Sequence, residues 1–411
     1  MREPLWKHAD FVKLWSGQTI SLFGSAVTAI ALPSVAILVL GATPYQVGLL
    51  EALQFLAFPV LGMPAGVWVD RLPRRAVMIV ADVGRAAALA SILVAWDLHR
   101  LVLGQLYAVA LLVGSLTVFF DVAYQAYLPS LIARSDLIDG NVKLETSRSA
   151  AQVAGSGLGG ALVQAIGAPL AILVDSASFV ASVVSLAAIR TREHAAHAAT
   201  RHDFWVELRQ GASVVFGSPV LRNIAGCTAT NNLGSGIVSA VFLIFAYRSL
   251  HLAPALVGIV LAVGNLGFFG ALSSGRIADK FGLGRTLAVS VAISGVGALV
   301  APFAALAFPF IVLLVSQLIV SFSTPVYNVN QVSLRQAIVP QALQGRMNAT
   351  MRTIVFGTLP IGSALGGVLG SSIGIVPTMI VGGIISVSAV LWIRCSDVYA
   401  LRATPAVSSE G

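Results

Sequence analysis

Twelve stretches of about 20 mostly apolar residues run along this chain, each able to cross about 30 Å of hydrocarbon as a helix. They fall at roughly 17–40, 47–69, 75–96, 101–126, 147–167, 169–189, 221–246, 255–277, 286–305, 308–331, 353–373 and 375–394. Two pairs are nearly continuous. They divide at Gly167-Ala168-Pro169 and at Gly374-Ile375-Val376-Pro377, because Gly and Pro punctuate helices. Of the 411 residues 57% are hydrophobic and 10% charged, and mean hydropathy is +0.89. A water-soluble chain carries about a quarter charged residues, so the bilayer is the solvent this composition fits. It argues against a secreted disulfide scaffold, a disordered regulator and a soluble multidomain enzyme. The runs are continuous rather than alternating, which argues against a membrane β-barrel. The expectation is an all-α membrane protein with 12 transmembrane helices.

Net charge is +8, and its placement reports topology. With both termini inside, the outer loops hold only Arg100 and Arg248, and Arg85 lies within a span. Every other Lys and Arg falls at inner loops, inner helix ends or termini, the asymmetry that orients membrane proteins. That basic surface faces anionic lipid rather than nucleic acid. Arg2, Lys7 and Lys13 precede an apolar run too long for a cleavable signal, so the first span reads as retained. Cys227 and Cys395 are too few for a disulfide framework.

The chain reads as one half copied once. Pro44-x-x-Val47-Gly48 recurs as Pro254-x-x-Val257-Gly258, an offset of 210. Gly66-x-x-x-Asp70-Arg71 recurs as Gly275-x-x-x-Asp279-Lys280 at 209, and Asn141, Gly159, Gly160 and Gly167 recur as Asn348, Gly366, Gly367 and Gly374 at 207. Six spans per half is an even number, so the copies are parallel repeats about an axis along the membrane normal. The expected domains are a six-helix bundle at 1–189, a cytoplasmic linker at 190–220, a second six-helix bundle at 221–394 and a cytoplasmic tail at 395–411. Two such bundles around a midplane site form a rocking transporter more readily than a channel or membrane enzyme.

The loop after span two reads Gly66-Val67-Trp68-Val69-Asp70-Arg71-Leu72-Pro73-Arg74-Arg75, with a degenerate copy from Gly275 through Asp279 and Lys280 to Arg285. It resembles the loop signature of the major facilitator superfamily, and the resemblance covers the whole chain. A sharp turn between helices suits Gly, and a carboxylate there can sit against a helix N-terminus. The resemblance implies that Asp70 does so against the helix starting near Thr353, and Asp279 more weakly against the one near Ser147, latching the inner side. The plainer reading is a basic inner loop. Span five holds Gly155, Ser156, Gly159 and Gly160, and span eleven Gly362, Ser363, Gly366 and Gly367. This resembles the superfamily's exporter motif, Gly-Pro-x-x-Gly-Gly, with Ser156 where the motif has Pro. Small residues four apart also simply let helices pack closely. Phe119-Phe120-Asp121-Val122-Ala123-Tyr124-Gln125-Ala126-Tyr127-Leu128-Pro129-Ser130-Leu131, followed by Asn141 and Thr146-Ser147-Arg148-Ser149, resembles the bacterial branch of enterobactin exporters and macrolide-efflux permeases. That branch implies export of drugs, siderophores or metabolites.

Ionisable groups inside a membrane are costly and mark function by default. Glu51, Asp82, Arg85, Asp121 and Asp175 qualify, all in the first half. Asp82 and Asp121 lie about 10 Å and about 9 Å from the inner ends of spans three and four, and Arg85 is one turn from Asp82. These three are expected to form a network, either a proton-carrying one or a structural ion triad. Glu51 near the outer mouth attracts cations, carries the proton or is simply solvated; Asp175 carries the proton or pairs locally. In the second half Asn231, Asn232, Asn265 and Asn328 are candidates for a substrate cavity or for bonds across helices. His194, His197 and His202 share a loop without a closed metal shell. No Gly-x-x-x-x-Gly-Lys-Ser/Thr loop is present, so no cofactor is expected and a proton gradient supplies the energy.

The function read from the sequence is export of a small amphipathic molecule by proton antiport and alternating access, not an enzyme. It is expected to act as a monomer in a bacterial inner membrane, its partners being that substrate and the lipid bilayer. The rivals are a nutrient importer on the same fold and a non-transporting scaffold or sensor.

Overall fold

The computed structural model describes residues 5–69, 71–133, 136–191 and 204–403, and no strand occurs among them. The first repeat contains α1 (Ala9–Ser34), α2 (Pro44–Val69), α3 (Arg74–Asp97), α4 (Leu103–Leu131), α5 (Leu137–Ile166) and α6 (Ala168–Ala187). Helix α7 (Phe204–Gly217) follows the segment joining the repeats. The second repeat contains α8 (Pro219–Ile244), α9 (Pro254–Gly264), α10 (Phe268–Phe281), α11 (Leu283–Val300), α12 (Pro309–Ile338), α13 (Gln341–Ser372), α14 (Ile375–Ser388) and α15 (Val390–Arg394). Taking α9 with α10 and α14 with α15 as single spans, eleven are long and apolar enough to cross a bilayer. Helix α5 is the twelfth. Its membrane portion is built from Ala, Gly and Ser rather than large aliphatics, which lowers its hydropathy without shortening it. Large apolar side chains such as Val80, Val184 and Leu272 are more than 60% exposed, which suits lipid contact and not water.

Contacts divide the chain into two compact units, Met1–Thr200 with Ala253–Ala262, and Arg201–Leu252 with Val263–Gly411. In the first unit α1 packs along α5 and α6, α3 along α4 and α6, and α2 along α4. In the second, α8 packs along α13 and α14, and α11 along α12 and α14. The duplication is visible in the backbone. Helix α1 ends in a π turn at Val35–Val39 and α8 in one at Phe245–Ser249, an offset of 210. His99 and Phe308, 209 apart, both take positive φ at the turns before α4 and α12. Gly167 and Gly374 take φ of 86° and 92° between the last two spans of each repeat, a conformation that only Gly adopts without strain.

Several boundaries differ from those expected. Helices α5 and α13 start at Leu137 and Gln341, not near Ser147 and Thr353. The α5 extension is polar overall, but Gly140, Leu144, Ser147, Ala151 and Gly155 continue one buried stripe at helical spacing, which hydropathy alone hides. Amides at Ser147 and Thr353 are therefore interior to helices and offer no free N-terminus. The expected linker contains α7, which docks on α13: a Cβ on Gly211 would meet the Thr350 hydroxyl and the Arg346 carbonyl. Span eight is broken at Asn265–Gly267.

Candidate functional site

Helix α3 turns one face inward, carrying Met78, Ala81, Asp82, Arg85, Leu89 and Ile92. Asp82 is 0% and Arg85 4% exposed. One turn apart, they meet as the sequence spacing requires: Arg85 Nη2 donates to Asp82 Oδ1. Arg85 Nη1 reaches Thr117 Oγ1 of α4 at 3.4 Å. The guanidinium lies 4.4 Å from the ring centroid of Phe120 on α4 and 4.3 Å from that of Phe179 on α6. Two aromatic faces thus take the place of water around a buried cation. Ser182 of α6 lies alongside the Asp82 carboxylate.

Asp175 of α6 is 1% exposed and sits in the same core. Its Oδ1 accepts from Ser178 Oγ at 3.0 Å and from Ser25 Oγ of α1 at 3.4 Å, with Thr28 of α1 alongside. The positive charge of Arg85 acts on it. Helix α1 comes this close because position 24 is Gly; a Cβ there would fall within 3 Å of both Ser178 and Asp175 Oδ1. Ser176 Oγ bonds the Ala86 carbonyl at 2.9 Å and pins α6 to α3. Four helices therefore enclose one guanidinium and two carboxylates. Buried ions are tolerated when each charge is paired and its remaining atoms bonded. That condition is incomplete here, since Asp82 Oδ2 and Arg85 Nε are buried without a hydrogen-bond partner.

The second carboxylate in this core on which the charge of Arg85 acts is thus Asp175. Asp121 is half-buried on α4, where its charge acts on Tyr124 together with Glu145 and Arg148. Glu51 is half-buried on α2. The partner that sequence reasoning did not assign had a readable signal: Asp175, Ser178 and Ser182 fall at i, i+3 and i+7, one polar face on an otherwise apolar helix. Phe120, Phe179 and Thr117 carried none, because their role depends on which helices pack together.

Asp70 lies outside the described residues, as do His194, His197 and His202. Gly66 and Gly275 lie within α2 and α10, not in turns, and have open space around them. Gly282, at φ 86°, makes the turn in the second repeat. Arg74 Nη1 donates to the Ala126 carbonyl at 3.0 Å, and Arg75 Nη2 to the Ala187 carbonyl at 2.6 Å. Lys13 Nζ adds a bond to the Ala188 carbonyl at 2.9 Å, so two cations neutralise the C-terminal end of α6. Arg71, Asp279, Lys280 and Arg285 are exposed. Asp10 ties the same corner by accepting from Lys13 Nζ, the Arg190 and Thr191 amides and Thr191 Oγ1 at 2.7–3.1 Å.

The glycine-rich stretches are contact surfaces. Gly155 and Gly159 of α5 lie against Ala26 and Val27 of α1, and Gly160 against Gly258 and the Pro254 carbonyl. Gly362 and Gly366 of α13 lie against Gly236 and Ile237 of α8, with Gly367 and Ser363 also buried. Ser156 Oγ bonds the Gln152 carbonyl within α5, which continues without interruption through this position from Leu137 to Ile166. Among the amides, Asn232 Nδ2 donates to the Val355 carbonyl at 2.9 Å and links α8 to α13. Asn231 is half-buried, Asn328 exposed, and Asn265 exposed at the break in span eight.

The profile of the transmembrane secretion effector family matches residues 3–410. The multidrug efflux pump Tap of Mycobacterium tuberculosis is 26% identical over 361 residues, covering 82% of this chain and 80% of that protein. Two solved structures share the fold. A bacterial homologue of the iron transporter ferroportin superposes with a TM-score of 0.74 at 18% identity, over 96% of this chain and 99% of that one. A bacterial homologue of the lysosomal transporter Spinster gives 0.76 at 12% identity, over 96% and 97%.

Proposed function

With the chain a member of the transmembrane secretion effector family of major facilitator transporters, and a transporter rather than an enzyme, we propose that it exports a small amphipathic molecule in exchange for protons through an alternating-access cycle. The molecule is of the drug, siderophore or metabolite class. The observation that carries the reading is the ionisable cluster of Asp82, Arg85 and Asp175, fully buried in a chain whose second repeat has no comparable acids. Placing three ionisable groups in a membrane interior is costly, and coupling to an ion is a use that repays it. The export direction draws support from the relative named as a multidrug efflux pump. A proton gradient is the energy source, with no bound cofactor. The skew of Lys and Arg supports a multi-pass inner-membrane protein with both termini cytoplasmic. It works as a monomer.

Vesicles carrying the purified protein and loaded with ethidium test the coupling. An imposed pH gradient should accelerate ethidium movement, and a protonophore should abolish the acceleration. Flux that follows the ethidium gradient alone, with and without the protonophore, rejects antiport. In cells, lost drug resistance on deletion supports export, whereas lost growth on one carbon source supports import.

A further inference from the structure

The two repeats supply an internal control for the buried cluster. Offsets of 209 and 207 carry Asp82 to Val291, Arg85 to Ser294, Thr117 to Thr324 and Asp175 to Gly382; an offset of 210 carries Gly24 to Gly234. The structure makes the same contacts with these neutral residues. Ser294 Oγ meets Thr324 Oγ1 at 3.1 Å where Arg85 meets Thr117. Gly234 abuts Gly382 and Ser386 where Gly24 abuts Asp175 and Ser178. Val291 is 1% exposed and fills the place of Asp82 with an apolar side chain. One fold therefore closes the same four-helix junction twice, once with charges and once without. Charge is not what the packing needs. Replacing buried ion pairs by apolar residues is often neutral or stabilising, so retention in the first repeat calls for another cause.

The charge count gives it. One guanidinium, bonded to Asp82, also acts through its charge on Asp175 in the same buried core, so the three groups together are neutral when they hold one proton and carry an uncompensated negative charge when they do not. Among the described residues, the groups facing Asp175 are Ser25 and Thr28 from α1, Arg85 from α3, and Ser178 from α6. Phe120 and Thr117 from α4 face Arg85. Asp82 is held by Arg85, with Ser182 from α6 alongside. We propose that Asp175 carries the exchangeable proton of the transporter, with Arg85 as the positioning residue that shifts between the two carboxylates. In the loaded state Asp175 is a neutral acid and Arg85 neutralises Asp82. On release the O–H bond of Asp175 breaks, the proton passes to water admitted by the conformational change, and Arg85 then serves both carboxylates. The orphaned Arg85 Nε and Asp82 Oδ2 leave the guanidinium free to re-aim. This deepens the antiport reading and rests on it only for the use made of the proton.

Infrared difference spectra of the full-length protein in lipid vesicles, taken as pH falls from about 9 to about 5, test the assignment. The wild type should gain the carbonyl band of a protonated carboxylic acid. Asp175→Asn should remove it, and Asp175→Glu should restore it at a shifted frequency. Asp121→Asn and Glu51→Gln should leave it in place. If Asp175→Asn does not fold, the triple variant D82V/R85S/D175G, which installs the residues of the second repeat, should also lack the band. No band in the wild type, or a band that survives in Asp175→Asn or in the triple variant, overturns the proposal. Ethidium flux under a pH gradient separates the two readings. Flux still driven by the gradient in Asp175→Asn overturns the assignment and leaves antiport standing. A lost band with wild-type flux insensitive to the gradient keeps the proton site and rejects antiport.

Discussion

Substitutions at the Asp82–Arg85 pair should be unequal in a direction set by Asp175. Arg85→Gln removes the cation bonded to Asp82 and leaves that carboxylate, at 0% exposure, without a counter-charge. Breaking a buried pair in this way costs about 3–5 kcal/mol. Asp82→Asn removes the anion bonded to Arg85, but Asp175 in the same core can then give up its proton and supply the counter-charge. The Phe120 and Phe179 rings and Thr117 remain around the guanidinium, so the cost is that of one charged hydrogen bond, about 1.5–3 kcal/mol. The double variant D82N/R85Q leaves two amides one turn apart with no charge between them. It should therefore cost less than Arg85→Gln alone and much less than the sum of the singles. For a unit of this size, 3–5 kcal/mol corresponds to a fall of about 6–20 °C in Tm. Tryptophan fluorescence of the detergent-solubilised protein during heating suits the measurement, because Trp6, Trp15, Trp68 and Trp96 belong to the same unit as the pair. Arg85→Gln no worse than Asp82→Asn, or a double variant costing the full sum, refutes the electrostatic argument.

Four further outcomes are expected. Gly24→Ala drives a methyl group into Ser178 and Asp175 Oδ1, and the overpacking should cost about 1–3 kcal/mol in the same thermal assay. Gly366→Val places its branches against the Ile237 carbonyl, which a Cβ alone already approaches to 2.5 Å; chromatography in detergent should show a large loss of monodisperse protein. Asn232→Ala removes one bond between α8 and α13, worth about 0.6 kcal/mol in membrane proteins, and ethidium flux should stay at the wild-type rate if the amide is structural. Asp10→Asn weakens the carboxylate that holds the Arg190 and Thr191 amides, so those two amides should exchange with deuterium faster than in the wild type.

The spans were legible because bilayer crossing leaves little freedom: a run of about 20 apolar residues has few other uses. The duplication was legible because punctuation at Gly167 and Gly374 survives in both copies. Within the site, Asp82 and Arg85 were readable as a pair, since one helical turn fixes their proximity before any tertiary contact forms. Asp175 lies 90 residues from Arg85 in sequence, and the choice between it and Asp121 depends on how α6 is rotated against α3. That rotation follows from the packing of Gly24, Ser176 and Phe179, which no local pattern announces. The starts of α5 and α13 were misplaced for a related reason. Hydropathy reports where lipid ends, whereas a helix continues for as long as its buried stripe does. Gly66 suited a turn by composition but is held inside α2, because the chain turns at Arg71–Pro73 instead.

The wide turns at Val35–Val39 and Phe245–Ser249 bear on what the two repeats share. A π turn accommodates one residue more than the α-helical turn beside it, and its i→i+5 bonding is rare. The sequences at the two places, VAILV and FAYRS, share one residue, so common composition does not explain the shared geometry. The wide turn therefore belongs to the backbone plan common to both repeats, tolerant of almost any side chains, whereas the buried ions belong to the side chains of the first repeat alone.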